Sequence, residues 1–198
     1  MSSFSPVPSG RADARRNAQR ILDVTAELIA ADPAATLEQV ATRAGVSRAT
    51  VYHHFASRDA LLDALTEQSV HEVAAALEAA RPDHGSATEA MDRMLRAAWQ
   101  VIGRYRGLVI VNPQRLERAE LRARLQPALA PVRAVLGRGQ RSGEFDPELP
   151  IEWLIGILTD IIHAASRQVT VGAMATDEAE RVLIRTARAT LTGHERDG

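Results

Sequence analysis

The stretch that most constrains the fold runs from residue 36 to residue 61, TLEQVATRAGVSRATVYHHFASRDAL. Thr36 and Gln39 have the spacing of a capping box, in which each side chain bonds the backbone N–H of the other residue. The spacing therefore predicts a helix that begins directly after Thr36. Gly45 can adopt the left-handed conformation that ends a helix. Between these limits the apolar residues recur at helical spacing and predict one buried stripe: Leu37, Val40, Ala41 and Ala44.

A second short helix is predicted after Ser47, whose side chain can cap its first turn. Two short helices joined by so tight a break cross steeply, as they do in a helix-turn-helix. The outward side chains of the second helix suit base edges and the phosphates beside them. They are Arg48, Ala49, Thr50, His53 and His54. From the spacing alone, a purely structural three-helix unit with an idle polar face stays open as an alternative.

The same stretch resembles the DNA-binding signature of the tetracycline-repressor (TetR) family of bacterial transcription regulators. The resemblance lies in the run Gly45-Val46-Ser47-x-x-Thr50-x-Tyr52-x-His54-Phe55-x-Ser57-Arg58-x-x-Leu61-Leu62, with Ile21, Ala26, Thr36 and Ala41 upstream. It implies an all-α homodimer of about nine helices in each chain. An N-terminal helix-turn-helix domain would precede a C-terminal bundle that binds an effector and dimerises through its last two helices.

Resemblance and outward position together give the predicted contacts with double-stranded DNA. Arg48, Ala49 and His53 are expected to read bases, whereas Arg58 and Thr36, at helix starts, are candidates for phosphate contacts. Glu38 departs from those relatives that carry a basic or polar base-reading residue there, and no base contact is expected from it unless it accepts from a cytosine amine. For Tyr52 the alternative is a ring packed beneath the turn. The full set is Thr36, Arg48, Ala49, Thr50, Tyr52, His53, His54 and Arg58.

Composition excludes several classes of protein and site. The 198 residues include no cysteine, hence no disulfide, thiolate nucleophile or cysteine zinc site. With a net charge of −1, the chain is not a general binder of polyanions. Its most apolar run, residues 153–158, is far shorter than the roughly 20 residues that span a bilayer. We expect a cytoplasmic protein with no membrane partner.

Composition predicts a disordered tail at residues 1–10, and the resemblance implies a DNA-binding domain at 11–57 and an effector-binding and dimerisation domain at 58–198. A long helix is predicted from Ser57 to Ala80, where it would join the two domains. One helix bent at its prolines is expected over residues 117–136, followed by a loop over 138–150. The last two helices carry apolar faces wide enough to need a partner, which predicts a four-helix bundle between two copies.

Catalytic patterns are missing from the sequence. A di-iron bundle needs Glu-x-x-His pairs, and the chain has none. His53 and His54 lie about 100° apart on a helix and cannot easily share a metal. We predict neither enzyme activity nor a cofactor nor a metal site. The bundle instead suits an unidentified small-molecule effector, and a regulator that recognises a protein or no ligand stays open as an alternative. The candidate pocket residues, each of which can equally be plain core, are Met91, Met94, Trp99, Tyr105, Trp153 and His163.

The sequence thus predicts a ligand-responsive repressor that binds a palindromic operator as a dimer. The alternative is a helical ligand-binding or scaffold protein whose helix-turn-helix no longer binds DNA.

Overall fold

The computed structural model describes residues 10–192, so the predicted tail lies outside the described residues except for Gly10, which begins the first helix. Regular structure within this range is entirely helical, which confirms the all-α prediction. The elements are α1 (Gly10–Ala31), α2 (Leu37–Ala44), α3 (Arg48–His54), α4 (Arg58–Ala79), α5 (Ala87–Arg104), α6 (Arg106–Arg115), α7 (Arg118–Leu125), a 3-10 turn (Gln126–Leu129), α8 (Ala130–Ser142), α9 (Ile151–Thr170) and α10 (Thr176–Thr192). None of the helices in these residues is long and apolar enough to cross a membrane.

The caps predicted around α2 are present. The Gln39 N–H donates to Thr36 Oγ1 at 3.3 Å, and Gln39 Oε1 accepts from the Thr36 N–H at 2.7 Å. Gly45 has a φ of 66° and ends the helix in the left-handed region. Because caps and stripe are local signals, sequence reasoning located α2 correctly at both ends.

The expectation of one bent helix over residues 117–136 was wrong. The helix is divided into α7 and α8 by the 3-10 turn, where Pro127 supplies no backbone donor. Pro131 falls in the first turn of α8, where the missing N–H would have no helical partner anyway. The expected loop was also placed too early, since α8 continues to Ser142 and ends at Gly143 with a φ of 75°.

Three apolar clusters form the core of the described residues. One lies within the helix-turn-helix unit around Ile21, Val40 and Val51. The largest lies among α5, α8, α9 and α10. The third joins the two regions, because it combines α1, α4, α6 and the residues that flank them: Ala26, Ile29, Ala35, Leu62, Leu65, Tyr105, Leu108 and Val111. Helix α4 contributes to all three clusters, so the predicted boundary at residues 57–58 lies at the start of a shared helix and stays a prediction.

Helix α6 approaches α1 most closely at Gly107. A β-carbon built on Gly107 would lie 2.5 Å from Ile29 Cγ1 and 2.6 Å from the carbonyl carbon and oxygen of Ile29. Those backbone atoms belong to a helix and cannot move aside as a side-chain tip can. Glycine at position 107 is therefore what allows the two helices to touch.

We expect Gly107→Ala to lower the free energy of unfolding by about 1–3 kcal/mol, because its methyl group overpacks the contact with the Ile29 backbone. Urea denaturation followed by circular dichroism measures the change. Gly103→Ala is the matched control, since a β-carbon there meets nothing within 4 Å; it should leave stability unchanged or raise it by up to about 1 kcal/mol. Equal stability of the two variants would contradict the close packing.

Candidate DNA-binding interface and ligand cavity

Helix α3 is fixed on the helix-turn-helix unit through its inner side. Ser47 caps it, with Oγ accepting from the Thr50 N–H at 3.0 Å. Val51 is fully buried in the core of the unit, and Phe55, which follows the helix, is 9% exposed. These contacts turn the opposite side of α3 toward solvent.

The structure brings most of the predicted contact residues together on that outer side. Arg48, Ala49 and His53 are exposed, whereas Thr50 and His54 are half-buried. Tyr52 is 43% exposed, so its ring does not pack beneath the turn. Instead the Arg48 guanidinium lies 5.5 Å from the Tyr52 ring centroid, a distance at which cation and ring attract. A cation, hydroxyls and imidazoles thus form one polar surface.

Two predicted residues on this side of the fold already have partners. The Thr50 hydroxyl lies 2.8 Å from Ser47 Oγ, so a contact with DNA would have to share that bond. Thr36, exposed at the start of α2, uses its hydroxyl to cap Gln39. Their positions agree with a contact surface, but their DNA contacts remain predictions.

Arg58 is bound within the protein. Its Nε donates to the Ala35 carbonyl at 3.0 Å and its Nη2 to the Pro33 carbonyl at 2.5 Å. Both acceptors belong to the loop between α1 and α2, so Arg58 joins the start of α4 to that loop. The phosphate contact stays a prediction, and with these two nitrogens engaged it would fall to Nη1.

A cavity of about 170 Å³ lies among α4, α5, α6, α7, α8 and α9. Four of the six predicted pocket residues line it: Met91, Met94, Tyr105 and His163. The other two predictions were wrong. Trp99 is buried in the core of the bundle, away from the lining. Trp153 is 60% exposed, because it lies on the outer side of α9 while Leu154 points inward.

Sequence reasoning missed five polar residues of the lining: Thr66, Ser69, Asn112, Thr159 and Arg167. Thr66 and Asn112 are 2% and 4% exposed and bond each other, with Asn112 Nδ2 donating to Thr66 Oγ1 at 3.2 Å. Arg167 lies one helical turn beyond His163 on α9. The one signal in the sequence was Asn112 itself, an amide in the otherwise apolar run LVIVN.

Two groups in the lining have shifted protonation equilibria. Burial and the Glu72 carboxylate, which accepts from the phenol at 2.7 Å, raise the pKa of Tyr105 to about 12. Burial, together with the charge of Arg167, lowers the pKa of His163, and Asp160 opposes this effect. The imidazole is therefore neutral at neutral pH, with one ring nitrogen as donor and one as acceptor.

Comparison with known proteins identifies this arrangement. Residues 21–65 match the sequence profile of the bacterial regulatory proteins, tetR family. The HTH-type transcriptional repressor LfrR of Mycolicibacterium smegmatis is 32% identical over 159 residues, which are 79% of this chain and 82% of LfrR. The chain belongs to the TetR family. It is accordingly a DNA-binding transcriptional regulator and not an enzyme.

Solved structures of TetR-like proteins share the fold. The crystal structure of LfrR in complex with proflavine superposes with a TM-score of 0.73 at 24% identity and covers 91% of this chain and 99% of that one. PfmR of Thermus thermophilus, another TetR-family regulator, gives a TM-score of 0.70 at 24% identity, with 89% of this chain and all of PfmR covered. Both superpositions extend well beyond the matched profile, so the family resemblance in fold includes the C-terminal bundle.

Two arginines among the predicted DNA contacts, Arg58 and Arg48, should respond differently to truncation. Arg58→Ala removes two charge-assisted bonds to loop carbonyls, so we expect it to lower the free energy of unfolding by about 1–3 kcal/mol. Arg48→Ala, at an exposed position, should change stability by less than about 0.5 kcal/mol while reducing discrimination between DNA sequences. Thermal melts and competition binding measure the two effects. A stable Arg58→Ala protein with uniformly weakened DNA binding would instead make Arg58 a phosphate contact.

Proposed function

We propose that this TetR-family regulator represses transcription by binding a palindromic operator as a homodimer, and that a small molecule in the cavity releases it. The observation that carries the proposal is the polar outer side of α3 on a unit packed directly against the helices that line the cavity. DNA binding itself is the family's property; the operator symmetry, the dimer interface and the effector are the new elements. Since its target is chromosomal DNA, we infer that the protein works in the cytoplasm.

The outer side of α3 suits the major groove. Arg48 would bond the edge of guanine, Ala49 would contact a thymine methyl, and His53 would bond a base edge or a phosphate. Tyr52 holds the Arg48 guanidinium from one side and adds a hydroxyl that can reach a phosphate. In a dimer the two α3 helices would occupy successive major grooves about 34–36 Å apart, which matches a palindromic site.

The outer sides of α9 and α10 support a dimer interface. Trp153 on α9 is 60% exposed and Val182 on α10 is 44% exposed, whereas large apolar side chains elsewhere in the described bundle are mostly buried. Ile157 and Ile161, one and two turns beyond Trp153, are only half-buried. Pairing α9 and α10 with the same helices of a second copy would cover these side chains in a four-helix bundle.

A chain of polar contacts connects the cavity with the start of α4. Asn112, in the cavity lining, accepts from Arg115 Nη1 at 3.1 Å. Arg115 Nη2 in turn donates to Asp63 Oδ1 at 2.8 Å and to the Asp59 carbonyl at 3.2 Å. Asp59 directly follows Arg58 in the first turn of α4, shortly after the end of α3. A molecule that displaces Asn112 would therefore shift Arg115 and, through Asp59 and Asp63, the first turns of α4, which follows the helix-turn-helix.

The relative LfrR supports a small-molecule effector, since it was crystallised in complex with proflavine. Within the cavity a ligand would change the free energy difference between a DNA-bound and a released arrangement of α4 and α6. Only a ligand that binds the two arrangements with different affinity can act in this way. The sign of regulation, repression, follows the description of LfrR as a repressor.

Selection from a random duplex library tests the operator without any assumption about its bases. The full-length protein should enrich an inverted repeat, and fluorescence anisotropy on that repeat should give an affinity about 10³-fold or more above that for competitor DNA. Binding should weaken steeply as salt rises, because phosphate contacts release counterions. Altering one half-site should remove most of the gain. Failure to enrich any repeat would favour the alternative, a helical ligand-binding or scaffold protein without DNA function.

Val182→Arg should split the proposed dimer, because it places a charge opposite its own copy in the apolar interface. Sedimentation velocity would then show a monomer, and affinity for the full repeat should fall toward that for a single half-site. Ala75→Arg, at an exposed position of α4, is the control and should remain dimeric. A dimeric Val182→Arg protein would place the interface elsewhere.

A further inference from the structure

The chemistry of the cavity lining restricts the class of effector. This inference rests on the proposed function, in which the cavity is the effector site. None of the 26 described lining residues is an aspartate or a glutamate. Nineteen are apolar, and Arg167 is the one with a permanent charge. A ligand cation would enter without a carboxylate to compensate it and would be repelled by Arg167.

Two carboxylates that act on lining residues, Glu72 on Tyr105 and Asp160 on His163, lie outside the lining and are already paired or solvated. Glu72 already accepts from Tyr105, from Gln68 and from Arg104, at 2.7, 3.1 and 2.8 Å. Asp160 lies on the exposed side of α9, one turn before His163. A cation in the cavity would therefore have to draw a carboxylate away from an existing partner or from water.

Most polar groups of the lining are engaged within the protein. The Thr66, Ser69 and Thr159 hydroxyls donate to backbone carbonyls at 2.7, 2.7 and 2.8 Å. The Asn112 amide and the Tyr105 phenol bond other side chains. His163 and Arg167 differ, because the side chain of neither forms a hydrogen bond or an ion pair with another described residue. Their nitrogens are the donors that the lining leaves for a ligand.

These two residues also have the right relation to each other. They are four positions apart on α9, so their side chains lie on one face of the helix. Arg offers several N–H donors in a planar fork, and the imidazole offers one more. An anion with two oxygens matches this pair, since charge-assisted bonds to a carboxylate are stronger than neutral ones. His163 and Arg167 therefore form one polar end of a mainly apolar cavity, whose other polar groups are engaged within the protein.

Cavity size limits the apolar part of the ligand. The volume of about 170 Å³ is close to the roughly 150 Å³ of an engineered apolar cavity that takes up benzene. A single aromatic ring, or an aliphatic body of similar size, fills it.

We propose that the effector is a small carboxylate built on one ring or an equivalent aliphatic body, with its carboxylate on His163 and Arg167 and its apolar part between α4, α5 and α6. The charge of the head group thus decides which molecules of this size bind. The lining thus defines the chemical class to which the natural compound belongs.

Three probes of the same shape test the proposal: benzoate, benzamide and benzamidinium, which carry charges of about −1, 0 and +1 at neutral pH. Isothermal titration calorimetry on the full-length protein should show that benzoate binds about 3- to 10-fold more tightly than benzamide, the effect of a partly solvated charge-assisted pair. Benzamidinium should bind more weakly than benzamide.

Variants of the two residues test whether they cause the preference for benzoate over benzamide. Arg167→Gln should bring the affinity for benzoate to within about twofold of that for benzamide and leave benzamide unaffected, because the exposed Arg167 contributes charge rather than packing. His163→Phe removes a donor that either head group can use, so it should weaken both probes, with the larger loss for benzoate, whose bond to the imidazole is charge-assisted. Arg141→Gln, an exposed arginine on α8, is the control and should behave as the wild type.

Three results would overturn the proposal: benzamidinium binding as tightly as benzoate, a benzoate preference that persists in Arg167→Gln, or no binding of any probe at millimolar concentration. Anisotropy on the selected operator separates this failure from that of the proposed function. A protein that binds the operator but not benzoate remains a regulator with another class of effector. A protein that binds neither fails both tests.

Discussion

Contact between α6 and the backbone of α1 holds the DNA reader, the unit formed by α1, α2 and α3, on the rest of the molecule. Position 107 has no side chain, so α6 can lie against Ile29, and the residues on either side of it complete the joint. Tyr105, just before α6, and Leu108 within it meet Ala26 and Ile29 of α1 and Leu62 and Leu65 of α4 in one apolar cluster. Helix α1 of the DNA reader, the connecting helix α4 and helix α6 beside the cavity thus share one core. Movement of any one of them changes the packing of the other two, because a close-packed core has few voids to absorb a shift.

A second, polar joint runs beside the apolar one. Asp63 accepts from both Arg115 and Arg124, at 2.8 and 2.9 Å, so that one carboxylate of α4 holds α6 and α7 together. These bonds lower the pKa of Asp63. Arg115 is the most confined member, with its side chain 12% exposed and a buried Nε that has no hydrogen-bond partner among the described residues. That Nε instead lies 3.6 Å from Asp59 Oδ1, in an ion pair with the first turn of α4.

Local signals explain which parts of the fold were predictable. The capping pair Thr36 and Gln39, the stripe of α2 and the turn at Gly45 involve residues close in sequence, so the bounds of α2 and the outward side of α3 followed from the sequence. The partners of Arg58 are 23 and 25 residues upstream, and no spacing rule reports such a contact. Likewise, the sequence shows that Trp153 is apolar but not which side of α9 it occupies, and in the structure it lies on the exposed side. Membership of the cavity depends on how six helices converge, so Met91, Met94, Tyr105 and His163 were found by residue type, while Thr66, Asn112 and Arg167 were missed.

The cavity lining and the joint overlap only in part on α6, which has an evolutionary consequence. Val109 and Pro113 line the cavity without belonging to the cluster that meets α1, Gly107 and Ile29 form the joint without lining the cavity, and Leu108 belongs to both. Substitutions can therefore accumulate at Val109 or Pro113 while the contact between α6 and α1 is kept. Under the proposed function, a lineage that inherits this chain could change the compound that binds the cavity through residues such as Val109 or Arg167, and still use the same joint to act on the same stretch of DNA.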